Sequence, residues 1–134
     1  MDYQIEFGAD AAADVNISTQ GAADVAAFAQ VGEELVSDER FVPGMFILVD
    51  HSDLDTTNLQ LDEIKTIAGE FEALGGRLGS STIAIVAGSA AVFGQIRQIV
   101  AFASATQARI SVFTSRAEAA AWLRREHDLD LRLD

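Results

Sequence analysis

The chain has 134 residues, with 21 acidic and 9 basic side chains, a net charge of −12, and no cysteine. That length suffices for one domain, which buries roughly two-thirds of the surface its unfolded chain exposes. The charge disfavours nucleic acid and anionic membrane surfaces as partners. The missing thiols exclude disulfides, thiolate metal sites and thiol catalysis, and no apolar run nears the ~20 residues of a membrane span.

The opening residues carry no basic stretch followed by an apolar one, so no signal peptide is predicted and a cytoplasmic location is expected. Tyr3, Ile5 and Phe7 alternate with polar residues, and Val15 and Ile17 repeat the pattern after a small-residue turn at Ala9 to Ala13. This period predicts an opening β-hairpin. A helix is predicted from Ala22 to Val36, where Val25, Phe28, Ala29, Gly32, Leu35 and Val36 form one apolar stripe. Pro43-Gly44 marks the turn that follows.

Met45 to Val49 is a continuous apolar run, as in a strand covered on both faces. It is predicted to end in an acidic turn, Asp50-His51-Ser52-Asp53. The next helix is predicted from Asn58 to Leu74, burying Ile64, Ile67, Ala68, Phe71 and Leu74. Thr57 and Gln60 are spaced as its capping box, and Gly75-Gly76 supplies a left-handed end. Thr82 to Ala87 reads as a strand. Ser89 is placed to cap a helix whose face carries Val92, Phe93, Ile96, Ile99, Val100 and Ala103.

Arg109 to Phe113 is the last main strand. Ser115 and Glu118 are spaced as a capping box for a final helix presenting Ala119, Trp122 and Leu123 inward. Leu129, Leu131 and Leu133 then alternate with charged residues, which fits either a frayed tail over 128–134 or an extra edge strand. Strands alternating with helices predict one α/β domain over residues 1–134. Its mostly parallel sheet is entered by an antiparallel hairpin, with about four helices packed on it.

The cluster Asp50, His51, Asp53 and Asp55 brings a histidine near several carboxylates. Such oxygens suit a hard cation, and His51 with Asp53 would make an acid–base pair. No glycine sits where a calcium loop needs one, and no second histidine lies at i+3 or i+4. Solvated carboxylates at a strand end are the simpler reading. Gly88-Ser89 and Gly94 flank a strand-to-helix turn, but the Walker lysine is missing and the spacing fits no dinucleotide fingerprint. There is no G-x-S-x-G elbow. No metal, cofactor or catalytic residue is expected.

Two passages carry a family likeness. One is MFILVDHSDLD leading into LDEIKTIAGEF; the other is IAIVAGSAAVFGQIRQIVAF followed by ISVFTSRAEAAAWL. Together with the order of elements, they resemble the STAS-like proteins related to anti-sigma-factor antagonists, the SpoIIAA-like family. The resemblance implies a non-enzymatic regulatory or protein-interaction module. In those antagonists a serine of an Asp-Ser-Ser-Gly turn is phosphorylated. The counterpart here is Asp55-Thr56-Thr57-Asn58, with threonines for both serines and asparagine for glycine. Asp50, His51, Ser52, Asp53, Asp55, Thr56 and Thr57 are therefore the candidate partner-binding or phosphoacceptor residues. The expected partners are a second copy, giving a homodimer, or a regulatory protein. The alternative is a carrier of a small apolar or lipid-like ligand in a pocket at the sheet/helix interface. That reading requires an apolar cavity of ~300 Å³ or more with few polar groups.

Overall fold

The computed structural model describes residues 1–10, 12–103 and 106–133. In chain order the elements are β1 (Asp2–Asp10), β2 (Ala13–Ala22), α1 (Val25–Ser37), β3 (Phe46–Asp55) and α2 (Leu61–Ala73). There follow α3 (Gly75–Leu78), β4 (Thr82–Ala87), α4 (Ala90–Phe102), β5 (Arg109–Phe113) and α5 (Arg116–Leu133). The five strands form one sheet in sequential order. β1 and β2 pair antiparallel, and every later neighbour is parallel. The α/β architecture with its hairpin entry is the one the sequence predicts. Ala11, in the predicted hairpin turn, lies outside the described residues.

The period-2 alternation of the strands sorts side chains between two unlike layers. Phe46, Leu48, Ala84 and Val86 point toward α5 and meet Ala119 and Leu123 there. Ile47 and Ile83 point the other way with Val15 and Ile17, toward a layer built from α1, α2, α3 and α4. Trp122 is half-buried against Phe113, with ring centroids 5.6 Å apart. On the α5 side the hairpin carries the exposed Gln4, Glu6 and Ser18 and the half-buried Asn16, whose Oδ1 accepts from Arg116 at 3.2 Å.

The structure corrects several boundaries. β2 runs on to Ala22, so α1 begins only at Val25, capped by Asp24, whose Oδ1 accepts from the Ala26 N–H at 2.9 Å. Residues 50–53 are not a turn. β3 continues through them to Asp55, because β2 offers a parallel ladder that reaches Gln20↔Asp53 and Ala22↔Asp55. α2 starts at Leu61, where Glu63 reaches back to the Gln60 N–H at 3.0 Å. That reciprocal contact displaces the predicted Thr57 cap by one turn.

Gly75 and Gly76 belong to the extra one-turn helix α3. The left-handed residue is Gly79, with φ 61°, whose N–H bonds the Gly75 carbonyl at 2.9 Å. Ser89 and Ser115 cap the last two helices as predicted, the second through the serine's half of its box. Ser89 Oγ accepts from the Val92 N–H at 3.2 Å, and Ser115 Oγ from the Glu118 N–H at 3.3 Å. Gly88 is needed for a different reason from a phosphate loop. A Cβ there would lie 2.1 Å from the Ser52 carbonyl oxygen, so the turn into α4 presses directly on β3.

The end of the chain is the clearest departure. Residues 128–133 are neither a frayed tail nor an edge strand but the last turns of α5; Asp134 lies outside the described residues. The competing signal is helical spacing. Glu126 and Asp130, four apart on one helix face, both bind Arg109 at the start of β5, at 2.9 and 3.1 Å. Leu129 and Leu131 remain 47% and 62% exposed as a result.

Candidate functional site

Because residues 50–55 form a strand, neighbours in sequence are sent to opposite faces. Asp50 turns toward the α5 side. Its Oδ2 receives Arg116 at 3.0 Å, and its Oδ1 accepts from the N–H of Ser52 at 2.9 Å and also from the Ser52 hydroxyl. Burial opposes ionisation of this carboxyl, but the two Ser52 donors and Arg116 outweigh it and hold its pKa below the ordinary value. Asp53 is exposed. His51 points the opposite way, under the helix layer, and bonds not to Asp53 but to Thr19. The seven predicted residues therefore do not converge on one site.

The Asp55–Asn58 segment is tied down rather than poised. Ala23 N–H donates to the Asp55 carbonyl at 2.8 Å, and Asn58 Nδ2 donates to the Ala23 carbonyl at 2.9 Å. Thr56 is fully buried, its hydroxyl donating to Gln95 Oε1 at 2.6 Å. Thr57 is exposed and gives its N–H to Asp55 Oδ1 at 2.8 Å, and its hydroxyl to the same oxygen. These bonds lower the Asp55 pKa. Among the described residues no group of three or more His, Asp or Glu side chains is arranged to hold a metal ion.

An apolar concavity lies elsewhere, between the sheet and the layer of α1, α2 and α4. Its volume is about 330 Å³, and it is partly open to solvent. Its floor is the inward row of the sheet, including Ile17, Val49 and Ile85; its roof includes Phe28 and Gly32 of α1, Phe71 of α2, and Ile99 of α4. Val49 and Ile85 sit in central strands beneath helices and yet are only half-buried. Their neighbours on the other face, Leu48 and Ala84, are 0% exposed. The helix layer therefore stands off the sheet. Wide branched side chains line the gap without filling it.

Few polar groups reach this space. His51 and Thr19 mark one end: His51 Nδ1 and Thr19 Oγ1 are 2.6 Å apart, and the edge of the Phe28–His51 pair has centroids at 5.8 Å. His51 is 6% exposed, and burial pushes its pKa down to about 4, against a smaller upward pull from Asp50. The imidazole is neutral at physiological pH. Glu70, on α2, also lines the cavity, and its Oε2 is shielded from solvent with no hydrogen-bond partner among the described residues. Glu33 lies at the α1 side, where Arg77 grips both its carboxylate oxygens at 3.1 Å.

Of the seven candidate site residues, His51 alone lines the cavity; Thr19 and Glu70 escaped notice, and Phe28 was read only as part of the apolar stripe of α1. A signal for them exists. In β2 the inward phase reads Val15, Ile17, Thr19, and in β3 it reads Ile47, Val49, His51, so two adjacent apolar rows each end in a polar residue. Glu70 falls three residues after Ile67 and four before Leu74, a carboxylate on the edge of an otherwise apolar stripe.

No protein-family model and no curated protein matches this chain. Among solved structures it is similar to an uncharacterized protein of the DUF3478 family from Shewanella loihica PV-4, described as having a SpoIIAA-like fold. The two share 19% identity over 91% of this chain and 92% of that one, with a TM-score of 0.56. The fold of this chain is thus SpoIIAA-like.

Proposed function

We propose that the protein is a non-enzymatic carrier that holds a small, largely apolar molecule between its sheet and its α1–α2–α4 layer. The observation that carries this reading is the cavity of about 330 Å³, lined almost wholly by aliphatic and aromatic side chains. Its volume falls at the lower end of the range for small-molecule sites, ~300–1,000 Å³, and such sites pair an apolar lining with a few placed polar groups. Thr19 and His51 are polar groups of that kind. A phosphoswitch at Asp55–Asn58 has weaker support, since Thr56 is sealed and bonded to Gln95.

The test uses N-phenyl-1-naphthylamine, an uncharged dye that fluoresces in apolar surroundings. Wild-type protein is expected to bind it at micromolar concentration. Ile85→Trp, which adds volume at the cavity floor, is expected to abolish binding while leaving the far-UV circular dichroism unchanged. No fluorescence gain with the wild type, or an equal gain with a folded Ile85→Trp variant, would overturn the carrier reading.

A further inference from the structure

We infer that the cavity is built for a cationic amphiphile, an aliphatic or aryl-alkyl amine whose ammonium group is received by Glu70. This assignment rests on the carrier reading and specifies its ligand. A cavity that holds benzene measures ~150 Å³. At about 330 Å³ this one has room for roughly twice as much, or about a dozen carbon atoms.

The charge inventory decides the head group. Among the described residues, the cavity lining includes no lysine and no arginine. Met1, which bears the chain's α-amino group, lines one edge, but His51 is uncharged at neutral pH, so no lining side chain offers a carboxylate or phosphate a cation. Two glutamates do line the space, and they differ. Both oxygens of Glu33 are occupied by Arg77. Oε2 of Glu70 is cut off from water and has no partner among the described residues.

Buried acceptors without a donor are rare in folded proteins, and each calls for an explanation. A ligand N–H supplies the missing donor. An ammonium does so with a charge-assisted bond, stronger than a hydroxyl can make. The net charge of −12 adds a field that concentrates cations and repels anions around the molecule. A carboxylate-headed chain meets the reverse in both respects: it brings acceptors, not a donor, to Glu70 Oε2, and the net field repels it. The Thr19–His51 pair is satisfied internally through Nδ1 and adds polarity without charge.

The experiment displaces N-phenyl-1-naphthylamine from the wild-type protein with decylamine, decanol and decanoate, three heads on one chain length, at pH 7 and low salt. Decylamine is expected to compete about tenfold more tightly than decanol, the factor expected of one charge-assisted hydrogen bond, and decanoate more weakly than either. In Glu70→Gln the amine is expected to fall to within about threefold of the alcohol, with decanol unchanged. Decanoate binding as tightly as decylamine overturns the assignment. So does an amine preference that persists in Glu70→Gln. If that variant fails to fold, the ranking on the wild type alone still decides. Competition by the alcohol but not by the amine overturns the amine assignment and leaves the carrier reading standing. Failure of the dye and of all three chains to bind overturns both.

Discussion

The two faces of the sheet are covered in opposite ways. One face is held by the single helix α5, which comes so close that Leu48, Ala84, Ala119 and Leu123 are all 0% exposed. The other is covered by three long helices, and beneath them Val49 and Ile85 still touch open space. Over the middle of β3 and β4, more cover has produced looser packing. The cause lies in side-chain size. Ala84 and Ala119 let α5 settle onto the strands, while Ile17, Val49, Ile85 and Phe71 hold the other layer away without interlocking. Close packing contributes stability, so the tight face carries more of it per residue, and the loose face gives some up in exchange for room.

The largest test of this contrast is Leu123→Ala on the tight face. Removing a fully buried leucine from a site that cannot collapse is expected to cost ~3–4 kcal/mol in urea unfolding. A loss near 1 kcal/mol would mean that the α5 face is as loose as the other.

Next comes the pH response of His51. Its pKa is lowered from 6.5 in the free side chain to about 4 in the folded protein. Between those values the unfolded chain takes a proton that the native state refuses, so stability falls as pH drops from about 6.5 toward 4 and levels off below. From pH 7 to pH 5 the wild type is expected to lose ~2 kcal/mol more than His51→Gln. Carboxyls with lowered pKa, such as Asp38 at about 2, lose their contribution only at lower pH and do not mask this window. Equal pH slopes in the two proteins would place His51 in contact with bulk water.

Ile85→Ala on the loose face is expected to cost about 1 kcal/mol, well under the usual 2–5 for burying and then deleting such a side chain, because it enlarges a space that already exists. A cost equal to that of Leu123→Ala would erase the distinction between the faces. Smallest of all is Arg77→Ala, at the rim of the loose face. Arg77 and Glu33 are 50% and 60% exposed, so water screens their attraction. No resolvable change in the urea midpoint is expected, and a clear shift would show that this pair closes the cavity.

Much of the fold was readable from the sequence because the alternation at Tyr3–Phe7 and the apolar runs at 45–49 and 82–87 each fit one period. The polar end of β3 was not, since Ser52 is exposed and Asp50 is covered only by the Arg116 side chain at the start of α5, and polar residues there look like a turn. At residues 128–133 two periods competed. The leucine alternation suggested a strand, and the Glu126–Asp130 grip on Arg109 selected the helix. The cavity was the least visible feature. A void is a difference between the volume enclosed and the volume filled, and no single residue encodes it. His51 was singled out for its acidic neighbours, whereas its burial and its bond to Thr19 depend on the register of β2 against β3.

The standoff between the helix layer and the sheet also makes the molecule compressible. An empty cavity is volume that disappears when the chain unfolds and water moves in, so hydrostatic pressure favours unfolding in proportion to the space left vacant. The unloaded protein should therefore denature at lower pressure than the occupied one, and a cargo would act as an internal prop.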